Sequence, residues 1–339
     1  MSQKILFVHN ALTTFVARDL EILQGCYQVE EYFVKSDWLN PWRDFRKVYR
    51  AELVFCWFAS AHSFLPVLFA WLLRKPSVVV IGGYDVVNMP EINYGHQRGG
   101  LKKWLSRLIF RLATLLIAVS EFNQTEAIKN ANVLARKLRL IYNAVPINQV
   151  YPASDSSRSS VLTVGNVSES NLERKGLRLF VESARFLPDV PFVVAGKWVD
   201  AGAEKLKRMA SPNVTFTGLL SDEELSATFD RAGIYVQASR HEAFGVAVAE
   251  AMLHGCIPVL SRSGALPEVG GDCAVYLAES TPEVLATTIN QALSIAIAEP
   301  ERAEACRQRI RENFSLDLRR QKLCDLLNRL LNKDLRPNA

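Results

Sequence analysis

Two carboxylates, Glu242 and Glu250, stand eight positions apart in one stretch near the C-terminal third of the chain. The apolar run at 234–238 predicts a buried strand, and the small apolar residues after Gly245 predict a helix. Glu242 would then lie in the turn after the strand, and Glu250 about two turns along the helix. Since the first N–H groups of a helix lack intrahelical partners and attract phosphate, the stretch predicts a phosphate cradle flanked by carboxylates. An ordinary strand–helix unit with solvated acids is the alternative.

The composition is that of a globular protein, with 49% apolar and 22% charged residues in 339, enough for two domains. The six cysteines form no C-x-x-C pair, so no zinc or thiol-redox motif is indicated and a reducing compartment is favoured. The first ten residues are interpreted as a strand, not a signal peptide. The apolar region 53–73 is interrupted by polar residues and Pro66, which predicts a strand and a helix instead of a membrane span. We therefore expect a cytoplasmic protein.

The net charge of +5 is unevenly distributed along the chain. Residues 1–150 carry 18 lysines and arginines against 11 acids, a net charge of +7, whereas residues 151–339 carry 22 against 24, a net charge of −2. A basic N-terminal half favours an anionic acceptor or peripheral contact with the inner face of an anionic membrane. A solvated basic face is the simpler alternative.

Strand and helix patterns alternate on both sides of a polar stretch at 151–160. Such alternation predicts parallel sheets covered by helices on both faces. We therefore predict an α/β protein with two Rossmann-like, doubly wound parallel-sheet domains, residues 1–150 and 151–315, which face a cleft. The final helix, within 316–339, is expected to pack back toward the N-terminal domain. Ligands of such sheets bind beyond the carboxyl ends of the strands.

Two segments of the N-terminal half combine apolar residues with cations at helical spacing. In the first, Trp38, Trp42, Phe45 and Tyr49 form a stripe that we expect to pack in the core. In the second, a helix predicted over 101–112, the apolar side is likewise expected to face the core. Its lysines and arginines could rest on anionic lipid.

Several motifs together resemble the signature of retaining nucleotide-sugar glycosyltransferases of family 4. The stretch from Glu242 to Glu250 is similar to their E-x7-E motif, with Phe244-Gly245 inside it. Further matches extend from residue 119 to residue 268: Val119-Ser120, Asn143 to Pro146, Val164-Gly165, Arg174 to Leu177, Val214 to Gly218, Ala238-Ser239 and Gly264 to Glu268. The resemblance implies the two-domain GT-B fold. It also implies transfer of a sugar from a nucleotide-sugar donor to a glycan, a lipid-linked saccharide or another small acceptor.

The resemblance assigns donor-side roles to the residues that match. Lys175 corresponds to a lysine that neutralises the donor phosphates, Glu242 to a glutamate that faces the transferred sugar, and Glu250 to one that hydrogen-bonds the ribose. The other predicted donor contacts are Gly218, Phe244, Gly245 and Val246, largely through the backbone.

One donor-side position departs from the family pattern. Asn166 stands where relatives have an arginine after a strand, so Arg174 or Arg240 would have to supply the second cation.

The acceptor side departs further. Many relatives have a histidine after the fourth strand, where this chain has Gly82-Gly83-Tyr84-Asp85. We predict that Asp85 is a catalytic residue, in addition to Lys175 and Glu242. The weaker acceptor-side predictions are Thr14, Tyr84, Asp85 and His96.

The predicted mechanism uses no cofactor and no essential divalent metal, because the chain contains no D-x-D motif. Lys175 and the helix start at Gly245 would stabilise the charge that develops on the leaving diphosphate. Glu242 would orient the sugar. Retention, as the resemblance implies it, would proceed by same-face attack assisted by the leaving phosphate.

Two other functions stay open. A nucleotide-sugar epimerase of similar build would rely on several carboxylates and histidines, in which the N-terminal half is poor. A non-catalytic subunit that binds nucleotide sugar would suit Asn166 and the missing histidine, but not the presence of Lys175, Glu242 and Glu250. No nucleic-acid partner is predicted.

Overall fold

The structure is a computed structural model that describes residues 3–35, 40–147, 158, 160–332 and 334. It divides into two compact units. The first contains the described residues up to Ala144 together with those from Leu316 onward, and the second is Val145–Ser315. Each unit contains a six-stranded sheet, which confirms the predicted fold class of two Rossmann-like domains.

In the first unit every pair of neighbouring strands is parallel, in the order β2-β1-β3-β4-β5-β6. The strands are β1 (Lys4–His9), β2 (Gln28–Phe33), β3 (Leu53–Trp57), β4 (Ser77–Ile81), β5 (Leu115–Ala118) and β6 (Leu138–Leu140). The helices between them are α1 (Thr14–Gln24), α2 (Pro41–Arg50), α3 (Ala61–Leu72), α4 (Gly100–Leu112) and α5 (Glu121–Ala131).

The second sheet is also parallel throughout, in the order β12-β11-β10-β7-β8-β9. Its strands are β7 (Ser160–Val164), β8 (Phe192–Ala195), β9 (Val214–Gly218), β10 (Ala232–Gln237), β11 (Ile257–Leu260) and β12 (Val275–Tyr276). Its helices are α6 (Glu169–Arg174), α7 (Leu177–Ser183), α8 (Gly202–Met209), α9 (Asp222–Arg231), α10 (Val246–Leu253), α11 (Leu266–Gly270), α12 (Pro282–Ala298) and α13 (Arg302–Asn313). The short helix α6 is absent from the sequence-based prediction.

The C-terminal helix α14 (Leu316–Leu331) belongs to the first unit. Its buried Arg319 pairs with the buried Asp19 of α1, with Nε 2.6 Å from Oδ1 and Nη2 2.7 Å from Oδ2. Trp57 Nε1 donates to the same carboxylate at 3.0 Å, and Arg319 Nη1 donates to the carbonyl of Tyr142. Because both charges are buried and hydrogen-bonded, removal of either would leave an uncompensated charge in the core.

One face of the first sheet is covered by α2, α3, α4 and α5, whose buried residues share a core with the strands. The helix α4 turns Ser106, Ile109 and Phe110 toward this core, and α2 turns Asp44 and Val48 inward.

The prediction that the apolar stripes of these two helices pack in the core is confirmed only in part. On α4, Ile109 is buried, and Leu105 and Leu112 pack against the core. Trp42 and Tyr49 on α2, and Leu101, Trp104 and Leu108 on α4, are exposed. On each helix the apolar residues span more of the circumference than the side that faces the sheet, so the outermost ones remain exposed. Trp38 lies outside the described residues.

Within the described part of the chain, no helix combines the length and the apolar character that a membrane span requires. The apolar region 53–73 forms β3 and α3, as the sequence predicts.

Candidate active site

The second sheet reverses its strand order between β7 and β10, the kind of position at which α/β sheets bind ligands. Lys175, which follows α6, and Glu242, which lies in the loop after β10, meet beside this point. Two backbone hydrogen bonds hold the loop: Arg240 N donates to Arg174 O at 2.8 Å, and Ala265 N donates to Glu242 O at 2.9 Å.

Lys175 and Glu242 form a largely buried ion pair, with 3.4 Å between Nζ and Oε1. Burial by itself would raise the pKa of Glu242, but the charges of Lys175 and then Arg174 outweigh it, and the pKa is lowered. The carboxylate is therefore ionised at neutral pH beside a lysine side chain.

A buried chain of polar side chains fixes Glu242. Tyr235 Oη donates to Gln237 Oε1 at 2.8 Å, Gln237 Nε2 lies 2.6 Å from Ser239 Oγ, and Ser239 Oγ donates to Glu242 Oε1 at 3.1 Å. These residues continue from the end of β10, so the rigid strand sets the position of the carboxylate.

The lysine is positioned by glycines. Gly176 has a φ of +70°, and a Cβ there would lie 2.3 Å from the carbonyl oxygen of Ala238. Any other residue would push Lys175 away from the strand end. A Cβ at Gly165, directly after β7, would come within 3.0 Å of Lys175 Cδ, so the lysine stem crosses this bare backbone.

The helix α10 begins where the sequence predicts a phosphate cradle. Gly245 is its N-cap residue with a φ of +100°, and Val246 is its first residue. Phe244 is buried, edge-on to Phe314 at 5.3 Å between ring centroids. The first N–H groups of α10 precede its first intrahelical hydrogen bonds and are available to an anion.

Glu250 lies half-buried one turn after the first residue of α10, not two turns along the helix as predicted, because the helix begins at Val246. Burial raises the pKa of Tyr235, and the charges of Glu242 and Glu250 raise it further. Both predicted carboxylates thus raise the pKa of one buried phenol.

The candidate second cations differ in their surroundings. Arg174 donates to Asn171 Oδ1 at 2.7 Å and lowers the pKa of Glu242. Arg240 is exposed and lies 3.7 Å from Glu173. Arg174 is therefore the better placed of the two beside the ion pair.

Trp198 was missed by sequence reasoning. It follows β8, is 41% exposed, and is the side chain nearest to a Cβ built at Gly218. Gly218, with a φ of +74°, ends β9. Lys207 Nζ lies over the indole, 3.7 Å from the ring centroid, so any stacking partner would use the opposite ring face. An aromatic residue soon after a buried strand is the signal that could have found Trp198.

The first sheet reverses its strand order between β1 and β3. At this point a cavity of about 210 Å³ is lined by Asn10, Ser60, Ala61, His62, His96, Lys102 and Leu105. The first sheet thus also presents a cavity where its topology predicts a ligand.

Two buried histidines line this cavity. His62 Nε2 lies 2.8 Å from the carbonyl oxygen of Trp57, and burial lowers the pKa of His62 to about 4. Burial, together with Lys102, also lowers the pKa of His96. Within the described part of the chain, neither Nδ1 has a hydrogen-bond partner. Both rings are neutral at pH 7, and His62 is a site residue that sequence reasoning missed.

The predicted acceptor-side residues are not all at this cavity. His96 lines it, and Tyr84 lies edge-on to His96 at 4.9 Å between ring centroids. Asp85 is buried in the turn after β4, where it accepts hydrogen bonds from Ala59 N and Gly83 N, both at 3.1 Å. Thr14 is exposed at the start of α1 and is not among the lining residues.

Burial raises the pKa of Asp85 to about 6, although its backbone hydrogen bonds oppose the shift. Its position fits a residue that shapes the turn after β4. Among the described residues there is no group of three or more histidine, cysteine, aspartate or glutamate side chains that could hold a metal ion.

Residues 158–294 match the family model described as "Glycosyl transferases group 1". The chain is 28% identical over 282 residues to a phosphatidylinositol N-acetylglucosaminyltransferase subunit of Arabidopsis thaliana, covering 75% of this chain and 61% of that protein. It is 25% identical over 264 residues to the glycogen synthase of Mycobacterium tuberculosis, covering 72% of this chain and 63% of the relative. The chain therefore spans less than two thirds of the length of these curated relatives.

Solved structures share the fold over nearly the whole chain. Anabaena HepE, crystallised with UDP and glucose, matches with a TM-score of 0.77 at 18% identity and covers 96% of this chain and 99% of its own. Sucrose-phosphate synthase of Thermosynechococcus elongatus matches with a TM-score of 0.75 at 16% identity and covers 98% and 100%. At this level of identity the likeness shows the fold alone.

Proposed function

Because residues 158–294 match the glycosyl transferases group 1 model within a GT-B fold, we propose that the protein is a retaining glycosyltransferase with a nucleotide-sugar donor. The domain contains the predicted donor residues, from Arg174 to Glu250. The relatives named above include enzymes that transfer sugars, which supports the same reaction class here.

The observation that carries the proposal is the ion pair of Lys175 and Glu242 beside the start of α10. A diphosphate that binds between the lysine ammonium and the first N–H groups of α10 would be neutralised from two sides. Glu242, held by Ser239 and Gln237, would face the sugar at the end of the diphosphate.

This geometry suits departure of a nucleoside diphosphate. As the anomeric bond to phosphate breaks, negative charge grows on the phosphate oxygens, and prepositioned donors lower the barrier. Lys175 and the α10 N-terminus are such donors, and the ionised Glu242 would stabilise positive charge on the sugar ring. These protein groups need no metal ion for this role, so we propose metal-independent transfer. Glu250 would bind the ribose, and Trp198 would stack against the base near Gly218.

The acceptor is proposed to bind at the cavity of the first unit. A buried nitrogen without a partner is uncommon, and both His62 and His96 have one. Asn10, Ser60 and Lys102 supply polar groups for a hydroxyl-rich or anionic acceptor. We assign Asp85 a positioning role, because it holds the turn that carries Tyr84 and does not line the cavity.

The test is a donor panel with the full chain. The protein is incubated with UDP-, GDP- and ADP-sugars without added metal, and both thermal stabilisation and release of free nucleotide are followed. Soluble oligosaccharides and extracted membrane lipids serve as acceptors. A ligand at about 100 times its Kd stabilises a protein by roughly 2.7 kcal/mol, which is readily measured.

Stabilisation by one nucleotide, with release that an acceptor accelerates, is the expected result. Stabilisation without release under any condition would leave a non-catalytic binding protein, and a new sugar on the same nucleotide would indicate an epimerase. Absence of any shift would contradict the donor site itself.

A further inference from the structure

Three neighbouring helices of the first unit expose an unusual amount of apolar surface. We call these side chains the outer face: Trp42 and Tyr49 on α2, Trp71 and Leu72 on α3, and Leu101, Trp104 and Leu108 on α4. The three tryptophans are 70%, 54% and 72% exposed, and they are half of the six in the chain. Single exposed apolar residues are ordinary, but a cluster of this kind marks an interaction surface.

Ring contacts join α2 and α3 of the outer face, and α4 is the next helix beside them. The ring of Trp42 stacks on Phe45 at 6.3 Å, and Phe45 stacks on Tyr49 at 6.1 Å. Phe45 also lies edge-on to Phe69 of α3 at 5.6 Å, so α2 and α3 form one aromatic surface. The helix α4 packs beside α3, and its exposed apolar residues follow one another at spacings of three and four, which forms a single stripe.

The exposed charges on these three helices are all positive. Together α2, α3 and α4 carry eight lysines and arginines and a single carboxylate, Asp44. Asp44 is buried, where it accepts a hydrogen bond from Tyr32 Oη. One of the eight cations, Lys47, pairs with Glu30 of β2. Five are exposed: Arg43, Arg46, Arg50, Lys102 and Arg111.

We propose that the outer face binds the surface of an anionic lipid bilayer. Indole and phenol rings settle at the level of the lipid headgroups. Lysine and arginine side chains lay their stems on apolar surface while their charges reach lipid phosphates. A second copy of the chain is a poorer occupant, because a symmetric dimer would bring two cationic faces together.

The position of the outer face also indicates which class of acceptor the protein uses, an inference that rests on the proposed function. Leu101 of the outer face is followed directly by Lys102, which lines the acceptor cavity. A bilayer bound along α4 would therefore lie at the cavity rim. This favours an acceptor carried on a lipid over a free oligosaccharide.

The experiment is co-sedimentation of the full chain with phosphatidylcholine vesicles, with and without phosphatidylglycerol, at low and at high salt. We expect binding that requires phosphatidylglycerol and weakens as salt screens the charges. The triple variant Trp42→Ala, Trp71→Ala and Trp104→Ala should lower the partition coefficient by at least about tenfold. Replacement of Arg46 or Arg111 by Gln should lower it roughly fivefold each.

Trp198→Ala is the matched control, because it removes an exposed tryptophan of the second unit and should keep full vesicle binding. Donor-induced thermal stabilisation should survive in the triple variant, which shows that the variant is folded. Lys175→Ala should still bind vesicles, so failure of the donor site and failure of the membrane surface are distinguishable.

Three results would overturn the proposal. They are no binding to either vesicle, equal binding by the triple variant, and a wild-type dimer in sedimentation velocity that the triple variant converts to monomer without any vesicle binding. The last would assign the outer face to self-association.

Discussion

The two sheets carry candidate sites at the same topological position and give them different chemistry. At the reversal between β7 and β10, a charged lysine and an ionised glutamate meet beside a helix N-terminus. At the reversal between β1 and β3, neutral histidines line a small cavity. The buried Asp85, whose pKa is raised, lies in the turn after β4. The first arrangement suits a diphosphate, and the second suits hydroxyl groups. The same fold therefore presents different chemistry at equivalent strand ends, depending on the residues placed there.

The largest effect is expected when the positive charge of Lys175 is removed from the candidate site of the second unit. Lys175→Ala should lower turnover by on the order of 10²–10³-fold, because one prepositioned donor to a developing anion is lost. Initial rates of nucleotide release, with the donor that the panel identifies, measure this. The matched control is Lys205→Ala, which breaks an exposed pair with Glu169 at 2.6 Å and should leave turnover unchanged. Equal loss in both variants would mean that the Lys175 pair has no special role.

The buried aspartate of the first unit should reveal itself through pH. The pKa of about 6 for folded Asp85 lies above its ordinary value of 3.8, so the folded protein binds this proton more tightly than the unfolded chain. Asp85 should therefore contribute a slope by which the free energy of unfolding falls by roughly 2–3 kcal/mol as the pH rises from about 4 to 6 and levels off above 6. The lowered pKa of His62 contributes a slope of the opposite sign over this range, so the contribution of Asp85 is read from the difference between wild type and Asp85→Asn.

Asp85→Asn should remove that slope, and it should also lose one of the two backbone hydrogen bonds. Urea unfolding of both proteins at several pH values tests this, with the exposed Glu91→Gln as the control that keeps the slope. Parallel pH profiles for wild type and Asp85→Asn would contradict the assigned position.

A substitution in the proposed acceptor cavity should weaken acceptor binding and leave donor binding unchanged. Asn10→Ala removes a polar group that lines the cavity and should raise the KM for the acceptor by up to about tenfold, the cost of one hydrogen bond. Donor-induced thermal stabilisation should be unchanged. Asn88→Ala, exposed in the same unit, is the control. A loss of donor affinity in Asn10→Ala would erase the distinction between the two sites.

The smallest expected effect concerns Trp198, which lies where we propose that the nucleotide base binds in the second unit. Trp198→Ala should weaken nucleotide binding a few-fold, since stacking of an aromatic ring contributes about 0.5–1.5 kcal/mol. Trp198→Phe should restore most of the affinity, because a ring is retained. Calorimetric titration with the nucleotide from the panel measures both. Full affinity in Trp198→Ala would remove this residue from the site.

The donor side was the more predictable from sequence. Gly165, Lys175, Gly176 and the stretch from Glu242 to Glu250 lie at strand ends and helix starts, where local geometry dictates residue type. The structure brings Lys175 Nζ to 3.4 Å from Glu242 Oε1. Trp198 was not found, because its proximity to Gly218 depends on the pairing of β8 with β9.

The acceptor side was less predictable for a physical reason. Whether Asp85 faces a ligand or a turn depends on the loop after β3, whose Ala59 N–H it binds across 26 residues. His62 reaches the cavity because α3 starts beside the end of β1, a relation that no local pattern contains. Nor does periodicity say which of the apolar residues on α2 and α4 the sheet covers.

The sequence by itself determined the alternation of strands and helices, the two Rossmann-like sheets and the position of Glu242 in the loop between a buried strand and a helix. These features depend on local periodicity and on residues adjacent in the chain. Only the tertiary structure decided that Asp85 is buried, that Arg319 joins α14 to Asp19 of the first unit, and that the tryptophans of α2, α3 and α4 face outward. Those outcomes depend on contacts between segments far apart in sequence, where packing selects one of several arrangements that the local pattern allows.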